Sequence, residues 1–137
     1  MMDWDECRKR GLVKEVRPDS ALISSLTKSS AKKLESERLL PLNATTAASK
    51  ITLAYDAVRE LMEAVALKQG YKIYNHECYC ALFKEVLERS GLGDEFDSFR
   101  RIRNAVNYYG KDVPPTEAGV LVGRMRAFAA KIGAAFF

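Results

Sequence analysis

The sequence predicts a single all-α domain over 1–137, an antiparallel up-and-down bundle of about five helices, and three observations lead there. Apolar residues recur at spacings of three and four through most of the chain. Gly, Pro and Asn signals cut it into segments of helical length with short connections, which set neighbouring helices antiparallel. Strand-like alternation is absent over any useful length, and no internal repeat or low-complexity tract interrupts the pattern. With 137 residues, 47% of them hydrophobic, the chain can bury one core and has no material for a second.

Each element has its own signal. An opening segment reads as helical through about residue 10. Pro18 suits a helix start with Asp19 and Ser20 in the first turn. The run to Leu40 carries a narrow stripe of Leu22, Ile23, Leu26, Leu34 and Leu39, broken by Ser29, Ser30 and charged residues, and Pro41 and Asn43 end it. From about Thr45 to Gln69, Ala54, Ala57, Val58, Leu61, Ala64, Val65 and Leu67 form the strongest stripe, which marks the central helix, and Gly70 supplies its left-handed cap. Asn75 suits the N-cap of a helix to about Ser90, with Tyr79, Leu82, Phe83, Val86 and Leu87 on one side and Gly91 just beyond its end. Asp94 and Glu95 favour the start of the next helix through its dipole, and Phe96, Phe99, Ile102, Val106 and Tyr109 trace its core face to Gly110. Pro114-Pro115-Thr116-Glu117 opens the last helix, whose Ala118, Leu121, Val122, Met125, Phe128, Ala129, Ile132 and Phe136 make a nearly continuous face.

Composition narrows the setting. No apolar stretch reaches the roughly 18 to 20 residues that a membrane-spanning helix needs. Met1-Met2-Asp3-Trp4-Asp5-Glu6 is too acidic and polar for a signal peptide, so a cytoplasmic protein with no membrane partner is expected. Cys7, Cys78 and Cys80 are odd in number, and two of them lie one residue apart in a helix, so reduced thiols are expected rather than a disulfide framework. The net charge of +4 permits an anionic partner. The densest basic clusters are Arg100-Arg101-Ile102-Arg103 and Arg8-Lys9-Arg10. Lys50, Lys68 and the Lys32-Lys33 pair read as solvated faces.

The segment most informative for function is Arg103-Asn104-Ala105-Val106-Asn107-Tyr108-Tyr109-Gly110. Arg103 can lay its stem along Ile102 and Val106 and reach solvent, or point into a cleft. Arg100 reads as a solvated charge that can add to a phosphate-binding patch. Tyr109 continues the core stripe, which leaves Tyr108 as the tyrosine for a cleft. His76, the sole histidine, follows Asn75 in a helix's first turn, where it satisfies a local hydrogen bond. With Cys78 and Cys80 it spells His-x-Cys-x-Cys, but alternate helical residues point about 200° apart, so no metal site and no cofactor are expected. Phe136 and Phe137 are hard to bury within a small monomer, and a homodimer interface is expected to cover them.

Two stretches together resemble the HEPN family of small helical bundles. One is Tyr55-Asp56-Ala57-Val58-Arg59-Glu60-Leu61-Met62-Glu63-Ala64, leading through Lys68-Gln69-Gly70-Tyr71-Lys72 to Asn75-His76. It is similar to that family's long helix, glycine turn and polar-His entry to the next helix. The other is Arg103-Asn104 with the ending Tyr108-Tyr109-Gly110, similar to the family's Arg-containing motif. The resemblance covers about residues 45–110. It implies a HEPN-like bundle, a homodimer with a shared cleft, metal-independent ribonuclease chemistry in many members, and a minimal nucleotidyltransferase partner in a toxin–antitoxin-like pair. In the family motif a His follows the Arg after a spacer of about four to six residues; here Tyr108 stands at that position and no His follows Arg103.

An unperturbed tyrosine titrates near 10 and is a poor base at neutral pH. The expectation is therefore a non-catalytic or weakly catalytic domain that binds nucleotide, RNA or a partner protein through Arg100, Arg103, Asn104, Asn107 and Tyr108. A ribonuclease is the enzymatic alternative, with Arg103 stabilising charge and His76 or Tyr108 moving the proton. A purely structural dimerisation module is the third.

Overall fold

A computed structural model describes residues 2–137. Four long helices dominate it: α2 (Ser20–Leu39), α3 (Ala47–Lys68), α5 (Ser90–Tyr109) and α6 (Pro115–Phe136). Two short helices, α1 (Trp4–Lys9) and α4 (Glu77–Ala81), and a pair of three-residue strands, β1 (Val13–Glu15) and β2 (Tyr71–Ile73), complete it. The strands pair antiparallel, with Val13 opposite Ile73 and Glu15 opposite Tyr71. They are too short for alternation to show in the sequence, and they are the one departure from an all-helical chain.

Helix α3 is the axis. Its Ile51, Ala54, Tyr55, Val58, Met62 and Val65 are each at most 1% exposed, the outcome expected for the longest regular stripe. The long helices alternate in direction, as cross-helix partners show. Residues 30, 33 and 37 of α2 meet 57, 56 and 50 of α3. Residues 52 and 55 of α3 meet 107 and 103 of α5, and 95 and 99 of α5 meet 131 and 128 of α6.

Several boundaries differ from the sequence expectation. Asp19 is the N-cap of α2, its carboxylate accepting from the Leu22 N–H at 3.1 Å, so the helix starts after Pro18 rather than at it. Helix α4 is much shorter than the expected run to Ser90. It widens into a π-helical turn over Leu82–Val86, and Glu88 takes a left-handed φ of 54°. Gly91 therefore lies inside α5 instead of beyond α4. Packing is close where the two elements meet at Gly93, at which a Cβ would lie 3.0 Å from the Cys80 carbonyl oxygen and 3.1 Å from Lys84 Cγ. The first turn of α5 is thus seated directly on α4. Gly70, at φ 91°, closes α3 and lets β2 turn back beside β1.

The seam between α2 and α3 is held by polar groups. Among the α2 side chains only Ser30 and Glu37 are fully buried, while Leu22 and Leu39, assigned to the apolar stripe, are 38% and 72% exposed. Ser30 donates to the Ala57 carbonyl at 2.7 Å. Lys50 is buried, not solvated as expected. Its Nζ donates to the Glu37 and Leu40 carbonyls at 2.7 and 2.8 Å and lies 2.7 Å from Glu37 Oε1. These carbonyls lie at the end of α2, where the Glu37 oxygen also receives the Leu40 N–H at 3.1 Å, so the lysine acts as an added C-terminal cap supplied by the next helix. Arg126 of α6 binds the same carboxylate, its Nε donating to Oε2 at 2.8 Å. Lys33 is half-buried between Asp56 and Glu60, also against expectation, whereas Lys32 is exposed.

The expectation of reduced thiols is overturned for two cysteines. Cys7 of α1 and Cys78 of α4 form a disulfide, both fully buried, and Cys80 alone is free. The odd count and the close spacing of Cys78 and Cys80 do not exclude a pairing with Cys7, which the fold brings in from 71 residues away. At the C-terminus Phe136 packs edge-on against Phe83 at 5.6 Å, and Lys68 lies 5.1 Å over the Phe137 ring, so part of this pair is covered within the chain. No helix among the described residues is long and apolar enough to cross a membrane.

Candidate functional site

Residues spaced three and four apart on α5 share one face, which puts Arg100, Arg103, Asn104 and Tyr108 in line. The β2–α4 connection crosses this face and brings Tyr74, Asn75, His76 and Glu77 opposite. Together these eight residues line an open cleft of about 350 Å³, at the small end of the range for ligand pockets. Two segments separated in sequence thus meet, and the single histidine faces the same space as Arg103.

His76 is held from below by α3. Its Nδ1 lies 2.8 Å from the Tyr55 hydroxyl, and Tyr55 itself is 1% exposed. Burial pushes the Tyr55 phenol up to about 12, so it stays protonated. Burial, with the nearby Arg103, Arg59 and Arg100 cations, pulls His76 down to about 4, so the ring is neutral at pH 7. Of this pair the phenol is the stronger acid and the imidazole nitrogen the better acceptor. Tyr55 O–H therefore donates to Nδ1, and the ring proton is assigned to Nε2, leaving an N–H donor for a ligand.

Arg103 stacks over the same tyrosine, its guanidinium carbon 4.6 Å from the Tyr55 ring centroid and 5.9 Å from that of Tyr108. Such placement favours a planar cation over a π face. Its Nη1 also lies 3.4 Å from the Tyr108 hydroxyl. Among the described residues no carboxylate pairs with Arg103. Arg100 differs, since Asp97, 4% exposed, holds it through an Nε bond of 2.9 Å and also binds Arg101 at 3.0 Å. Arg100 is therefore half-buried and anchored, not the solvated charge expected. The one acid lining the cleft, Glu77, accepts from the Met2 backbone N–H at 2.9 Å.

The structure brings five of the six sequence candidates together: Arg100, Arg103, Asn104, His76 and Tyr108. Asn107 turns aside, its Oδ1 accepting from the Thr52 hydroxyl at 3.1 Å, and does not line the cleft. Tyr109, expected in the core, is 84% exposed. The buried stripe stops at Val106, and the last turn of α5 projects beyond its partners. Tyr108 is 71% exposed and Tyr74 56%, so the cleft mouth carries two open aromatic rings. Tyr55, Tyr74 and Glu77 had no site signal in the sequence. Tyr55 lies buried on α3, and it meets the site through its hydroxyl on His76 and its ring face under Arg103.

His76 also stands at the start of α4, where Asn75 Oδ1 accepts from the Glu77 N–H at 2.8 Å. That bond fixes the turn on which the imidazole sits. Chemically, the cleft presents guanidinium and imidazole N–H donors together with side-chain amides and aromatic faces, the functional groups that bind a phosphate and an adjoining base. No protein-family model, curated protein or solved structure matches the chain.

Proposed function

We propose that the chain is a HEPN-like domain that binds a phosphate-bearing ligand, a nucleotide or RNA, in the cleft between α5 and the β2–α4 connection, with little or no catalysis. The observation that carries this reading is Arg103: a guanidinium stacked on Tyr55, without a carboxylate partner, and facing His76 across a polar cleft. Arg103 and Arg100 supply charge, His76 and Asn104 hydrogen bonds, and Tyr74 and Tyr108 stacking surfaces. The family likeness extends the proposal to a homodimer and to a minimal nucleotidyltransferase partner in a toxin–antitoxin-like pair. Sedimentation tests the first extension, and co-purification from the native host tests the second.

A fluorescent oligoribonucleotide titrated by anisotropy tests the central reading, with a labelled mononucleotide as the parallel arm. Binding should weaken with salt, and Arg103→Ala should lower affinity about tenfold and reduce the salt slope by about one. Absence of binding, or affinity indifferent to Arg103→Ala, would leave the purely structural module as the better description.

Ribonuclease activity is the second reading, favoured by the meeting of His76 and Arg103 in one cleft. A histidine pulled down to about 4 is a weak base at neutral pH, and its Nδ1 is occupied by Tyr55, so binding ranks first. Metal-free RNA cleavage lost in both Arg103→Ala and His76→Ala would reverse that ranking.

A further inference from the structure

The N-terminal segment is tied at three points to α4 and the π-helical turn that follows it. Cys7 is bonded to Cys78, two residues after His76. The Met2 N–H is held by the Glu77 carboxylate at 2.9 Å, and the Trp4 N–H by Glu85 Oε2 at 2.6 Å. Two of these ties fall on the turn that presents His76 and Glu77 to Arg100 and Arg103. The first keeps α1 against α4, and the second occupies the only acid lining the site. Besides these ties, α1 buries Trp4 and Cys7 in the core and pairs Arg8 with Glu15 at 3.2 Å. Trp4 packs edge-on against Tyr71 at 5.1 Å, and the helix is one of only 6 residues.

We propose that the Cys7–Cys78 disulfide is a redox latch on the cleft: closed, it keeps Glu77 engaged with the N-terminal segment; opened, it frees that carboxylate to pair with Arg103 and compete with an anionic ligand. The proposal rests on the phosphate-binding reading of the cleft. Opening requires a dithiol reductant. Its thiolate attacks one sulfur of the protein disulfide, and the mixed disulfide is resolved by the reductant's second thiol. The protein gains two hydrogens as Cys7 and Cys78 thiols, and the reductant leaves as its own disulfide. Both protein sulfurs are buried, so attack follows lifting of α1 and is slow compared with exchange at an exposed disulfide.

The experiment compares the full chain before and after treatment with dithiothreitol. Thiol alkylation under denaturing conditions counts the disulfide, and the anisotropy titration with the oligoribonucleotide reads the cleft. Before treatment one thiol should alkylate, and three after it. Reduction should weaken binding up to about fivefold, the effect of one exposed carboxylate–guanidinium pair of about 1 kcal/mol. Glu77→Gln should bind equally well in both redox states, because the competing charge is gone. Cys7→Ser should match the reduced wild type, and circular dichroism should confirm that its helices persist. Three labelled thiols before treatment would overturn the latch, as would equal affinity in the two states. Loss of redox dependence only in variants that have lost helicity would overturn it as well. No binding in either state would instead remove the phosphate-binding reading, and the latch with it.

Discussion

The α2–α3 seam and the α5 cleft both gather cations against partly buried surfaces, yet they treat charge in opposite ways. In the seam each cation is answered. Lys50 and Arg126 converge on Glu37, and Lys33 is held by Asp56 and Glu60. Arg59, alongside, sits between Asp56 at 3.1 Å and Glu63 at 2.8 Å. In the cleft Arg103 faces tyrosine rings and a neutral imidazole, and among the described residues no carboxylate pairs with it. Similar residue types thus serve cohesion in one region and, on the proposed reading, recognition in the other. The separating feature is whether a carboxylate is engaged with the cation: Asp97 takes Arg100 and Glu77 accepts from the Met2 N–H, which leaves Arg103 without one.

The largest effect should come from breaking the seam. Glu37→Ala leaves the buried Lys50 ammonium without its counter-charge and should cost about 3 kcal/mol in urea unfolding. Oligoribonucleotide affinity of the folded fraction should stay unchanged. A matching loss of affinity would show that the two regions are not separate.

Acid should strain the cleft next. His76 is pulled below its ordinary value of 6.5 to about 4, so between these values the unfolded chain binds more protons than the folded one. Its contribution is fully present above pH 6.5 and falls away as the pH drops toward 4. Allowing for the solvent around this half-buried ring, the loss is on the order of 2 kcal/mol. His76→Gln should flatten that part of the stability profile, and nuclear magnetic resonance of the ring should place its titration below pH 5.

Gly93→Ala tests the seat of α5. The added Cβ crowds the Cys80 carbonyl, and a gain in helix propensity offsets part of the strain, leaving a loss of about 1 kcal/mol. Affinity should fall with it, because α5 carries the cleft arginines. At the smallest end in stability, Tyr108→Ala should change unfolding by no more than about 0.5 kcal/mol. It should still weaken oligoribonucleotide binding about tenfold if the ring stacks on a base.

The helices were readable because the 3.6-residue period repeats over several turns in α3, α5 and α6. Two strands of three residues repeat nothing, and the π-helical turn lies where a later helix packs closely at Gly93. The seam was misread at Lys50, since a lysine's usual place is solvent, and its burial rests on carbonyls of another helix. The disulfide was missed for the same reason: Cys7 and Cys78 become neighbours only once α1 has docked on α4. In the site, the face shared by Arg100, Arg103, Asn104 and Tyr108 follows from spacing alone. That His76 joins them does not, because Tyr55 of α3 determines where the imidazole stands.

Lys50 carries one more consequence. The end of α2 is completed by a side chain from the first turns of α3, so neither helix can open there alone without stripping partners from buried carbonyls and a buried ammonium. The two helices and their connection should behave as a single opening unit, with amide hydrogens on both sides exchanging at a common rate. Lys50→Met should uncouple them, letting the last turn of α2 exchange well ahead of α3.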